Sequence, residues 1–311
     1  MKVYKFLNKC IYNKVRKLIR KASHAGSWYP KNREDLIREI EYCFSESEFG
    51  PGLIPETLNQ DTRSIIGGVS PHAGYAFSGR CAAFTYLNLF KEKIPDTIIV
   101  LGTDHVGYGK VALLGDGAWE TPLGNLLIDE ELSKKILDTS DIIVEDRSAF
   151  TGFMEQEHNI EIQLPFIKYC AKEKDVKIVT IKIGARKGYD VYEQISADIS
   201  SVIKSSNKDV IIVASSDMSH KNITNKKQLA DFKKVDQDVI DAFVALRPKI
   251  ALTNALKTTV CGAQTITTMM LTCMKLNATK GELLKYYISS DIRGEYGYCV
   301  GYLSGIIYKM K

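Results

Sequence analysis

Four short apolar runs, residues 65–69, 97–101, 177–183 and 210–214, are rich in Ile and Val and end at turn residues. That pattern predicts strands buried on both faces. Between and after them apolar residues recur every three or four positions, which predicts helices over residues 32–44, 79–91, 130–137, 191–203 and 227–246, and another starting at Cys261 and Gly262. Residues 111–114 and 124–128 read as a hairpin interrupted by TPLG. Glu155, Glu157 and His158 open a helical pattern through Ile160, Leu164 and Ile167, with a bend expected at Pro165. Strands at 286–289 and 299–307 close the chain. The alternation, without repeat or linker, predicts one α/β domain with a largely buried sheet.

The candidate chemistry sits where the strands stop. Residues 70–79 read SPHAGYAFSG and deliver His72 into a Gly-rich turn; the next strand ends in GTDH and delivers His105. A third ends in SSDMSH, whose Asp217 and His220 are three apart and able to face one point. Ligands of open α/β sheets collect at the carboxyl ends of strands, so these four groups read together as a functional cluster. Two imidazoles with one anionic ligand suit Fe(II) or another divalent transition metal, and a closed structural zinc site would be richer in cysteine. The third ligand stays open among Cys261, whose thiolate a helix N-terminus favours, Asp217 and Glu157. His220 is left as acid or base, with Asp217 either orienting it or capping the turn. Trp28 and Tyr29, in a Gly/Ser/Pro turn, plug the core or wall a pocket.

Charge changes this picture only at the start of the chain. Residues 1–22 hold eight Lys or Arg and no acid; taking those eight from the total of 42 leaves 34 against 37 acidic residues, which excludes a general nucleic-acid surface. Leu7, Ile11, Val15 and Leu18 or Ile19 fall at helical spacing within this basic extension. It reads as a terminal helix docked on the domain at 23–311, with contact to an anionic membrane or RNA as the alternative. Seven scattered cysteines without a CxxC pair, and no secretory leader, point to a reducing cytoplasm.

The motifs AGSWYP, PHAGYAFSG, LGTDH, EHNIEIQLPF, SSDMSH and the CG at Cys261, in this order over residues 25–262, closely resemble the Memo family, also called AmmeMemoRadiSam system protein B. The resemblance implies an αβα sandwich around a mixed central sheet, similar to the class III extradiol ring-cleavage dioxygenases. It also implies an iron or copper site, ranked above zinc, from His72, His105 and Cys261, with His220 in the place of the dioxygenases' catalytic histidine. A small-molecule or peptide ligand in the same cleft, and radical SAM and AMMECR-type partner proteins, are implied as well. Asp104 stands where Ser or Asn is usual and adds an acidic group behind His105; Trp28, Glu157 and His158 are expected around the ligand. AQTI after Gly262 and Lys221 after His220 also depart from the family pattern, and bear on the pocket wall and ligand preference. A non-catalytic binding module in a radical SAM system and a metal-dependent hydrolase are the alternative readings.

Overall fold

The computed structural model describes residues 17–184 and 188–310. Leu7, Ile11 and Val15 of the expected basic helix lie outside the described residues. The strands in chain order are β1 (Ile19–Arg20), β2 (Ile65–Ser70), β3 (Thr97–Thr103), β4 (Val111–Leu113), β5 (Ala118–Trp119), β6 (Leu126–Leu127), β7 (Ile143–Glu145), β8 (Lys177–Ile183), β9 (Val210–Ser215), β10 (His220–Ile223), β11 (Lys280–Ile288) and β12 (Gly297–Tyr308). The helices are α1 (Arg33–Ser45), α2 (Tyr75–Lys91), α3 (Glu130–Thr139), α4 (Leu164–Ala171), α5 (Tyr189–Ser205), α6 (Lys226–Val244), α7 (Pro248–Ala255), α8 (Ala263–Lys275) and α9 (Ser289–Arg293).

Neighbouring side chains along a strand point to opposite faces, and here both faces are covered. On β3, Ile98 and Val100 enter one core while Ile99 and Leu101 enter the other; β9 splits Ile211 and Val213 from Ile212 and Ala214 in the same way. The first core is completed by α1, α2 and α4, the second by α3, α5, α6, α7 and α8. The result is the αβα arrangement expected, around a nine-stranded mixed sheet of order β10-β12-β2-β9-β3-β8-β4-β7, with β11 added on β12. Its centre, β2-β9-β3-β8, is parallel, so the carboxyl ends of β2, β9 and β3 lie side by side. β9 stands between the other two, with Ser70 of β2 in register with Ser215.

Three local expectations are corrected. The hairpin of 111–114 with 124–128 does not form: β4 pairs with β8 and β7, while TPLG turns the chain between β5 and β6. β4 fits there because Ala112, Leu113 and Leu114 fill the two long-range cores. The helix expected from Glu155 gives way to 3-10 turns over Gly152–Gln156 and Glu161–Gln163. Side-chain bonds from Glu157 and Asn159 to the 103–105 segment hold the chain out of the helix, and Pro165 starts α4 instead of bending it. At the end of the basic extension, Ile19 is in strand rather than helix, and β1 pairs in parallel with β5. α7 was not anticipated at all; Pro248 in its first turn is its sequence signal. No helix among the described residues is long and apolar enough to cross a membrane.

Gly102 on β3 shows how closely the 157–160 segment is held. A Cβ there would lie 2.2 Å from Asn159 Oδ1 and 2.4 Å from Ile160 Cγ1. Gly102→Ala is therefore expected to cost at least ~1–3 kcal/mol through overpacking, read as a lowered urea midpoint. An unchanged midpoint would mean that the segment moves aside freely.

Candidate metal centre

β2 ends in a buried serine, and Pro71 then sets the chain so that His72 lies beneath the start of α2, only 2% exposed. Its backbone N–H donates to Asp217 Oδ1 at 2.8 Å. Its ring Nδ1 is 3.0 Å from Ser215 Oγ. The Ser215 hydroxyl donates to the Asn159 carbonyl at 2.7 Å and accepts from Gln163 Nε2 at 2.9 Å. A hydroxyl has one proton, so Ser215 can only accept from His72. The proton of His72 is thus fixed on Nδ1, and Nε2 presents a lone pair. Burial, reinforced by the neighbouring histidines, holds this ring well below the usual imidazole range.

His105 is oriented by a carboxylate instead. Glu157 accepts from the His105 backbone N–H at 2.6 Å and from its Nδ1 at 2.9 Å. Asn159 Nδ2 spends its two protons on Thr103 O, at 2.7 Å, and Glu157 Oε1, at 2.6 Å, which fixes the carboxylate's position. Burial alone would lower the His105 pKa, but the Glu157 hydrogen bond and charge, with Asp217 and Asp104 behind, raise it. Burial alone would raise Glu157; its bonds with His105 win and hold it at about 2.

His158 completes a three-ring group. Its ring is parallel to that of His105, centroids 5.1 Å apart, and meets the edge of His72 at 5.3 Å. Trp28 lies against it at 4.1 Å. Burial pushes His158 down to about 4, with Glu157 opposing and His105 and His24 assisting. Among the described residues His72, His105 and His158 are the group whose ligand atoms all lie within 4.8 Å of one another, so the set can hold a cation.

Cys261 approaches from the segment before α8. Its Sγ is 3.1 Å from His72 Nε2 and 3.5 Å from the Asp217 carbonyl. Burial, then the Asp217 charge, pushes the thiol up, opposite to the effect expected from the helix N-terminus. Asp217 itself is buried and pushed up to about 7 by desolvation, so it carries a proton part of the time at neutral pH. His220, at the start of β10, places Nε2 4.0 Å from Asp217 Oδ2. Its Nδ1 is 3.1 Å from the Thr259 carbonyl, which can only accept, so the proton sits on Nδ1 and Nε2 is the free base. Burial lowers its pKa.

The Memo-like protein family matches residues 20–306. The chain belongs to the Memo family. Its Memo relatives include a MEMO1 family protein of Desulfurococcus amylolyticus, 37% identical over 279 residues that make up 89% of this chain and 95% of that protein. A MEMO1 family protein of Methanobrevibacter smithii is 35% identical over 292 residues, 93% of this chain and 99% of that one. The Memo fold also aligns with the crystal structure of an uncharacterized protein of Escherichia coli K12, at a TM-score of 0.51 and 11% identity, covering 78% of this chain and 99% of that one. That likeness concerns fold alone.

Within this Memo chain the residues singled out by sequence fall as follows. His72 and His105 come together, ring centroids 5.3 Å apart, and Cys261 joins His72. His158, expected around the ligand, lies in the imidazole group itself. Trp28 walls it. Asp104 bonds away from the rings, accepting from Val106 and Gly109 N–H groups at 3.3 and 2.8 Å. Sequence reasoning passed over Ser215, Asn159, Gln163 and Thr259, which set the ring tautomers. The position of Ser215 at a strand end between two histidine-bearing strands was the one signal available for them.

Proposed function

We propose that this protein holds a redox-active cation, Fe(II) or copper in preference to zinc, on His72 and His105. Cys261 or His158 supplies the next ligand, and His220 acts as general acid or base in an oxygen-dependent oxidation within the cleft. The observation that carries the reading is the meeting of three imidazoles, two of them with tautomers set by Ser215 and Glu157. The residues present fit a cation: His72 offers Nε2 as a lone pair, and the Glu157 carboxylate behind His105 raises that ring's basicity. Mixed imidazole and thiolate donors suit iron and copper. A cation bound there supplies electron exchange and Lewis acidity.

The chain's own groups do the rest. His220 Nε2 takes up or returns a proton, and Asp217, near neutrality in pKa, stands beside it as a proton store. Trp28 closes one side against water. A small molecule or peptide occupies the cleft, and radical SAM and AMMECR-type proteins are the partners in this reading. A cytoplasmic setting accords with Cys43, Cys81, Cys170, Cys261, Cys273 and Cys299, all free thiols.

Metal analysis of anaerobically purified protein tests the site. His72→Ala and His105→Ala are expected to lose most of the bound iron or copper, while comparison of His158→Ala with Cys261→Ser identifies the further ligand. Equal metal content in wild type and all four variants would overturn the proposal.

A further inference from the structure

The segments around His220 form a second feature, lined by residues that the metal centre does not use. A groove of about 420 Å³ lies beside the start of β10 and is lined in part by His220 and Thr259. That volume lies in the range of small-molecule clefts. Asp231, Phe232 and Val235, on one face of α6, form one wall. Val235, 38% exposed, is the apolar surface this wall opens to solvent, and Phe232 backs it from the core it shares with Ile223, Ile288 and Cys299. Lys221 and Lys257 line the rim, and neither has an ion-pair partner among the described residues; Asp231 is likewise unpaired. Two ammonium groups against one carboxylate leave a net positive rim beside that apolar surface.

We propose that this groove binds the substrate, and that the substrate is a small molecule with an apolar body and a single carboxylate. The apolar body lies on Val235, the carboxylate meets Lys221 and Lys257, and the molecule also reaches His220. The inference rests on the reading of His220 as the acid or base, and names the class of molecule on which it acts. The groove's volume of about 420 Å³ and single net charge select for a small molecule over a macromolecule, whose contact would spread over the surface.

The test uses the full chain loaded with iron under anaerobic conditions, with 4-phenylbutyrate and its neutral amide, 4-phenylbutyramide, as probes in isothermal titration calorimetry at low salt. The acid is expected to bind about tenfold more tightly than the amide. The double variant Lys221→Glu/Lys257→Glu should erase that preference with metal content unchanged, and Val235→Glu should weaken both probes. Equal binding of acid and amide to the wild type would overturn the proposal. So would a preference that survives the double variant but disappears when iron is removed, since the carboxylate would then be at the cation. Metal content is read separately in the His72 and His105 variants, so the groove and the metal site fail independently.

Discussion

Glu161→Ala is expected to destabilise the protein by ~3–5 kcal/mol, the cost of leaving a buried partner charge uncompensated. Glu161 is fully buried and accepts from Arg20 Nη1 at 2.6 Å, from the His24 N–H at 2.8 Å, from His24 Nδ1 at 3.0 Å and from the Tyr29 hydroxyl at 2.7 Å. Arg20 is just as buried, and its Nη2 donates to the carbonyls of Glu155 and Glu157 at 2.8 and 3.0 Å. Removing the carboxylate strands the guanidinium and loosens both the 155–157 segment and the turn bearing Trp28. Urea denaturation gives the size of the effect. A loss below ~1 kcal/mol would show that water reaches Arg20 and solvates it, as at an exposed pair.

Glu157→Gln tests the group behind His105. Outer partners of ligating histidines typically contribute ~10–100-fold in metal affinity, and a loss in that range is expected near pH 8. The pH dependence should change as well. Glu157 raises the His105 pKa, so a cation must displace a proton there and affinity climbs as pH rises through the folded pKa above 6.5. Without the carboxylate that proton is held less tightly, so the climb should shift to lower pH even as the plateau falls. Zinc titrations from pH 5.5 to 8.5 on wild type and variant measure both. A plateau that falls without any shift would detach Glu157 from the proton on His105.

The fold was legible where side-chain patterning dominates. Residues 98–101 and 210–214 are apolar at every position because the strands they form, β3 and β9, face a core on each side. Legibility failed where tertiary bonds override local pattern: residues 155–163 carry a helical spacing, yet Glu157 and Asn159 bond to the end of β3 and leave 3-10 turns. The strand-end histidines were visible because His72 and His105 each follow an apolar run. The groups that decide their protonation were not. Ser215 and Thr259 are small, common residues whose part depends on which neighbour takes their single hydroxyl proton or carbonyl lone pair, and a sequence does not state that.

The hydroxyl of Ser215 has a further consequence for how charge moves through this protein. Its proton is committed to the Asn159 carbonyl, and Gln163 already donates to it. The inner side of His72 is therefore a dead end for proton traffic: Ser215 has none to give, and nothing beyond it can take one on. Any proton that reaches or leaves His72 does so through Nε2, on the face shared with Cys261. The ring is open to exchange on one side only, and that side is the cleft.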